Sequence, residues 1–172
     1  CYEKKHPASI DCHTKVAEAY LLLGMYLQCI EHASQALLYA NDLGIKEHVR
    51  NLCLILGKAC THIKDFSKAH YYLNIVYQFN IKEVGEDNLI NIPIIQSIID
   101  TFVAESRLDE AIEMVNKLLT IITINNDGYT IIDIIDHYLL LAKLYMKLEK
   151  YEELINTLDY ILNKTNNSPL NI

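Results

Sequence analysis

Apolar positions along this chain recur every three or four residues, in helix-length runs divided by short polar breaks. The first run puts Val16, Ala17, Tyr20 and Leu23 on one face and stops at Gly24, a residue suited to the left-handed conformation that closes a helix. The second starts near Leu27 and carries Cys29, Ile30, Ala33, Ala36, Leu37 and Ala40, small enough for close helix approach, before the break Asn41-Asp42-Leu43-Gly44. Val49, Leu52, Cys53, Leu56, Gly57 and Cys60 line a third helix, and Asp65 is placed to cap a fourth along which Ala69, Tyr72, Leu73, Val76 and Tyr77 recur. A polar connector, 81–87, follows.

The second half repeats the scheme. Asn91 is expected to cap a fifth helix, with Pro93 in its first turn and Ile95, Ile98, Ile99 and Phe102 on its apolar face. Ser106-Arg107-Leu108-Asp109 reads as a capping box with Asp in place of Glu, ahead of Ala111, Ile112, Val115, Leu118 and Leu119. The run 119–124 is β-branched enough to read as a strand in isolation, but its place in the pattern makes it helix. After a turn at 125–128, Tyr138, Leu141, Ala142 and Tyr145 line a seventh helix, and Leu154, Ile155, Leu158, Ile161 and Leu162 an eighth. Residues 165–172 read as a polar tail.

The breaks inside the pairs resemble one another: Gly24-Met25-Tyr26, Lys64-Asp65-Phe66, Ser106-Arg107-Leu108 and Glu149-Lys150-Tyr151. Counted from Tyr26 to Phe66 to Leu108 to Tyr151, the period is 40 to 43 residues. A period of this size predicts helix pairs that cannot bury their apolar faces alone and stack to do so. The expected units are 10–44, 46–80, 91–125 and 130–164, forming one domain over 1–172.

Composition narrows the function classes. The net charge is −7 with no basic patch, which disfavours nucleic acid and anionic membrane surfaces. The uninterrupted apolar stretches are too short for a membrane span, and the charged start 1–6 is unlike a signal peptide. The five cysteines form no CxxC pair, and three fall on apolar helix faces, so they read as reduced core residues of a cytoplasmic protein.

Candidate chemistry is sparse. The five glycines stand apart, so there is no phosphate-cradling loop, and no HExxH occurs. Cys29 and His32 are spaced to share a metal, but a structural zinc takes four ligands; one core thiol beside one boundary imidazole is the reading adopted, with no metal and no cofactor. Cys12 and His13 diverge on a helix, and the face shared by Cys53 and Cys60 is core. Glu105 with Asp109, and Glu149 with Glu152 and Glu153, sit at helix turns where the helix dipole alone favours acid. The 12 tyrosines are residues of a kind common at binding surfaces, yet Tyr20, Tyr26, Tyr138, Tyr145 and Tyr151 fall at packing positions. The expectation is a protein that is not an enzyme.

The stretches 24–31, 64–69 and 106–113 resemble the turn and second-helix start of a tetratricopeptide repeat, and Leu56-Gly57 with Cys60 and Leu141-Ala142 with Tyr145 match its first-helix spacing. The resemblance spans about Ile10 to Lys164. The period exceeds the standard repeat of about 34, the closing Pro is missing, and bulky Ile99 stands where a small residue is usual. The longer unit is similar to the variant of bacterial signalling and transcription-regulating proteins. The resemblance implies an all-α solenoid of about four helix pairs wound as a right-handed superhelix, with the first helices lining a concave side.

Mapped by repeat position, that side receives Thr14, Glu18, Leu21 and Leu22, then Asn51, Leu54, Lys58, Thr61 and His62. The later units add Gln96, Asp100 and Val103, then Asp136, Leu139, Lys143, Met146 and Lys147. Asn51, Lys58, His62, Gln96, Asp100, Lys143 and Lys147 are the candidate peptide-binding residues; the amides suit a peptide backbone, and Lys58 and Lys143 suit an acidic partner. Relatives that clamp a C-terminal carboxylate use Lys and Asn where this chain has Thr14 and Glu18, and Glu18 would repel a carboxylate. The implied function is a non-catalytic scaffold binding a protein or peptide, with homo-oligomers left open. The alternative is a regulatory sensor domain of a larger signalling or transcription-regulating protein.

Overall fold

Four three-residue turns organise the chain. The computed structural model describes residues 7–125 and 131–166, and the side chains of all of these except 131–133. Its helices are α1 (Pro7–Leu22), α2 (Tyr26–Leu43), α3 (Lys46–His62), α4 (Phe66–Val84), α5 (Ile92–Ala104), α6 (Leu108–Ile124), α7 (Ile131–Lys147) and α8 (Tyr151–Asn166). A 3₁₀ turn, Leu89–Asn91, leads into α5, and no strand occurs among the described residues. Packing groups the chain into two compact units, 1–86 with α1–α4 and 87–172 with α5–α8. In the first, α1 packs on α2, α2 on α3 and α3 on α4, and α1 also meets α3; in the second, α5 packs on α6, α6 on α7 and α7 on α8. The β-branched run 119–124 lies in α6, as the repeat pattern requires.

Each pair turns through one left-handed residue: Gly24 (φ 72°), Lys64 (φ 62°), Ser106 (φ 65°) and Glu149 (φ 57°). The next N–H reaches back five residues in every case. Met25 donates to the Tyr20 carbonyl at 2.9 Å, Asp65 to Cys60 at 2.9 Å, Arg107 to Phe102 at 2.8 Å and Lys150 to Tyr145 at 3.0 Å. This bond satisfies a carbonyl that the end of the helix leaves open. Three of the four left-handed positions carry side chains that disfavour that conformation. Exchanging Lys64, Ser106 and Glu149 together for glycine should therefore stabilise the protein by about 1–3 kcal/mol. Chemical denaturation would show this as a higher midpoint; a lower one would mean that these side chains contribute more than their strain costs.

The core of the first unit joins Ile10 and Ala17 of α1 to Cys29, Ala33, Ala36 and Ala40 of α2 and to Leu52, Ile55, Leu56 and Ala59 of α3. Small residues on α2 face large ones on α3, which lets the helices approach closely. In the second unit the fully buried large side chains include Ile95, Ile99, Leu118, Ile121, Ile122 and Leu144. Ala69 and Ala111 are completely buried where α4 and α6 begin. Buried Thr14, Thr61, Ser97, Thr101 and Thr157 lie in helices and donate their hydroxyls to the carbonyl four residues back, so each polar group is satisfied within its own helix.

Several local expectations need correction. Asp65 caps α4, accepting from the Lys68 N–H at 3.3 Å. Asn91, however, makes no side-chain cap; it is buried in helical conformation, and Asn88 instead accepts from the Ile90 N–H at 3.0 Å to start the 3₁₀ turn. Ser106 forms no capping box because its left-handed backbone belongs to the turn. Arg107 takes the cap position, and its guanidinium pairs with Glu110 at 2.8 Å and Glu105 at 3.3 Å. Val16 and Leu23 are exposed, α1 burying Ile10, Thr14 and Ala17 instead. Ile155, Leu158, Leu162 and Tyr151 of α8 are exposed as well, with Leu154, Thr157 and Ile161 buried. The turn expected at 125–128 falls outside the described residues except for Asn125, whose amide donates to the carbonyls of Asp87 and Ile121.

Candidate functional site

On α1, Asp11, Lys15 and Glu18 recur at helical spacing and form a polar stripe beside the buried Ile10, Thr14 and Ala17. On α3, Glu47, His48 and Asn51 occupy the first two turns, ahead of the buried Leu52 and Cys53. Contact between α1 and α3 brings the two stripes together around a cleft of about 270 Å³, with Thr14 also in its lining.

Three polar contacts hold the cleft. The Asn51 amide donates to Glu18 Oε1 at 3.2 Å, and Lys15 Nζ donates to Glu18 Oε2 at 2.7 Å. The Lys15 hydrogen bond is the main cause that holds the Glu18 carboxyl below its ordinary range, and the Asn51 amide acts in the same sense. His48 Nε2 meets Asp11 Oδ1 at 2.9 Å, while its Nδ1 is buried with no hydrogen-bond partner among the described residues. That arrangement puts the proton on Nε2, facing the carboxylate. The lining contains three carboxylates, Asp11, Glu18 and Glu47, against the single ammonium of Lys15, so the cleft is acidic.

The residues singled out from the sequence divide between the units. Asn51 is exposed on the cleft wall but already engaged by Glu18. Lys58 is half-buried one face further along α3, and the His62 ring stacks on Tyr26 with centroids 4.3 Å apart. In the second unit Gln96 and Asp100 are exposed on α5, and Lys143 and Lys147 on α7. Six residues before each left-handed turn residue stand Glu18 and Lys58 in the first unit, and Asp100 and Lys143 in the second. Each unit thus carries an acid and then a base at the same repeat position. Thr14 and Thr61, mapped to the open side, are buried and turn their hydroxyls back onto their own helices. Asp11, Lys15, Glu47 and His48 were not singled out; the signal for them was the polar spacing at 11, 15 and 18 and at 47, 48 and 51.

A second cavity, about 220 Å³, lies in the first unit among Ala40, Val49, Ile75 and Phe79. Arg50 also lines it, its guanidinium 5.0 Å from the Phe79 ring centroid and 3.2 Å from Glu83. Cys29 and His32 do not converge on a shared point: Cys29 is in the core, and His32 Nδ1 sits 3.0 Å from His13 Nδ1, flanked by Tyr20. No group of three or more potential metal ligands occurs among the described residues.

Burial pushes the thiols of Cys29, Cys53 and Cys60 up to about 11, above the ordinary 9.0, whereas Cys12 is exposed. Because thiolate is the reactive form, a disulfide exchange reagent at pH 8 should label Cys12 promptly and these three only after denaturant is added. The same shift lowers stability as pH rises from about 9 toward 11, since the unfolded chain loses these protons first. Three more thiols reacting in the native protein at pH 8 would refute the packing of this core.

Among the described residues no helix is long and apolar enough to cross a membrane. No protein-family model matches the sequence, and no curated protein matches it. Solved structures do. BtubC (BKLC) from P. vanneervenii superposes with a TM-score of 0.80 at 16% identity, over 95% of this chain and 66% of that one. Thus the present chain spans just under two thirds of BtubC. Two structures of a Podosopora anserina putative kinesin light chain with nearly identical TPR-like repeats, one of them a variant form, give TM-scores of 0.71 and 0.75 at 16% identity. They cover 96% and 97% of this chain, and 81% of their own length in each case. A chain whose described residues form eight helices, whose four turns repeat one hydrogen-bonding pattern, and which superposes on such proteins along nearly its full length, has a tetratricopeptide-repeat-type fold.

Proposed function

We propose that the chain is a non-catalytic scaffold that binds an extended segment of another protein along the first helices of its pairs, and that the segment is basic where it meets α1 and α3. The acidic cleft between those helices is the observation that carries this reading. Its carboxylates stand on two rigid helices, and Lys15 neutralises only one of them. A lysine or arginine side chain entering the cleft would find Asp11 and Glu47 on opposite walls, with the Asn51 amide beside them. Repeat folds of this kind suit such work, because successive units present the same positions along a bound chain. The sign of the cleft shifts the expected partner away from the acidic segment that Lys58 and Lys143 alone would suggest.

Selection from a random peptide library displayed on phage tests both signs at once. Recovered sequences should be enriched in Lys and Arg, and Asp11→Lys with Glu47→Lys should weaken their capture by about tenfold or more. Raising the salt concentration should weaken it too. Acidic sequences that respond to Lys58→Glu and Lys143→Glu, and not to the cleft variants, would overturn the basic-segment reading.

A further inference from the structure

The cavity of about 220 Å³ in the first unit is walled by α2, α3 and α4 and shares no lining residue with the acidic cleft. The two use opposite faces of the first turns of α3. Glu47, His48 and Asn51 line the cleft, whereas Lys46, Val49 and Arg50 line the cavity. The cavity's walls are apolar, with Ala40 from α2, Val49 from α3, and Ile75 and Phe79 from α4. A dry cavity of about 150 Å³ admits a benzene ring. This one therefore has room for a ring with a short side chain, or for an alkyl chain of similar bulk.

Its charge is opposite to that of the chain as a whole. The protein carries −7, yet two cations, Lys46 and Arg50, line the cavity and no carboxylate does. Lys46 is exposed, and its ammonium has no partner among the described residues. Arg50 is held in place. Its Nη1 donates to Glu83 Oε2 at 3.2 Å and to Asn80 Oδ1 at 3.4 Å, and the guanidinium lies over the Phe79 ring. Among the described residues nothing bonds its Nη2 or Nε. A guanidinium anchored through one nitrogen, with the rest of its fork open, is preorganised to receive the two oxygens of a carboxylate. Glu83 offsets part of the Arg50 charge from outside the lining, and Lys46 restores the excess. The start of α3 adds a weaker pull on an anion, because its N-cap Ile45 offers the first turn no side-chain acceptor.

We propose that this cavity binds a small monocarboxylate, its apolar body lodged among Val49, Ile75 and Phe79 and its carboxylate at Arg50 and Lys46. The site is separate from the acidic cleft and does not depend on the proposed peptide function.

Isothermal titration calorimetry of the full chain with 3-phenylpropionate and with octanoate tests it. The neutral 3-phenyl-1-propanol and the cationic 3-phenylpropylammonium serve as counterparts. At least one of the two carboxylates should bind at one site per chain with a Kd below about 1 mM, and which of them binds tells ring from chain. The alcohol should bind at least about tenfold more weakly, and the ammonium more weakly still. Lys46→Glu and Arg50→Gln should each weaken carboxylate binding by about tenfold. Ile75→Trp, which fills the cavity from a partly exposed position, should abolish it. Circular-dichroism melts matching the parent show that each variant is folded. If Arg50→Gln melts early through loss of its Glu83 bond, the exposed Lys46→Glu carries the charge test. A Kd above about 1 mM for both carboxylates would overturn the proposal. So would an alcohol that binds as tightly as the acid, or carboxylate binding untouched by Lys46→Glu or by Ile75→Trp.

Discussion

Replacing Gly57 with leucine should destabilise the protein by about 3 kcal/mol. A Cβ at this position would stand 2.6 Å from Cγ and 2.7 Å from Cδ2 of Leu73, and 3.6 Å from the Ala69 carbonyl oxygen. Leu73 and Ala69 are both fully buried, so neither can swing into solvent to make room. Removing a helix-interior glycine would by itself gain about 1 kcal/mol, which the overlap exceeds. Urea denaturation reads the effect as a lowered midpoint. Adding Leu73→Ala to the leucine variant should recover part of the loss, because the two substitutions act on one contact. A midpoint unchanged from the parent would mean that α3 and α4 lie further apart than described.

The same repeat position in the second unit has the opposite vulnerability. Seven residues before its left-handed turn residue stands Ile99, as Gly57 stands before Lys64, and Ile99 is 1% exposed. Truncating Ile99 to alanine should cost about 3 kcal/mol, the lost transfer energy plus the cavity left behind. Ile99→Val, removing one methyl group, should cost about 1 kcal/mol. If alanine there proved neutral, the space would be slack, and the bulky residue would be a tolerated departure from the repeat rather than a filled core site.

Helix periodicity made the eight helices and the four turns readable before any coordinates, because each second helix opens on a large apolar residue, Tyr26, Phe66, Leu108 or Tyr151, directly after a short break. The departures have local causes. Leu23, Val16, Ile155 and Leu162 obey helical spacing but sit at the first and last helices, where the face they share has no neighbour among the described residues. Periodicity reports which residues share a face and is silent on whether another helix meets it. Ser106 and Asn91 were misjudged because a capping residue and a left-handed turn residue draw on the same short polar set. The lining of the acidic cleft was legible only in part. Asn51 emerged from its repeat position, but Asp11, Glu47 and His48 form a cleft only through contact between α1 and α3, a pairing across 37 residues that no single-helix pattern contains.

The turns also divide the chain into places where length is free and places where it is not. Within every pair the helices are joined by three residues, 23–25, 63–65, 105–107 and 148–150, locked by the same reverse hydrogen bond. Between pairs the described joints are two residues at 44–45 and seven at 85–91. Differences in length are thus taken up by the joints between pairs and by the helices, α5 having 13 residues against 19 in α4, and refused by the turns within pairs. For an engineer, a fluorophore loop, a protease site or a circular-permutation break belongs at 85–88, whereas a single extra residue beside Lys64 or Glu149 would rotate the following helix out of its seat.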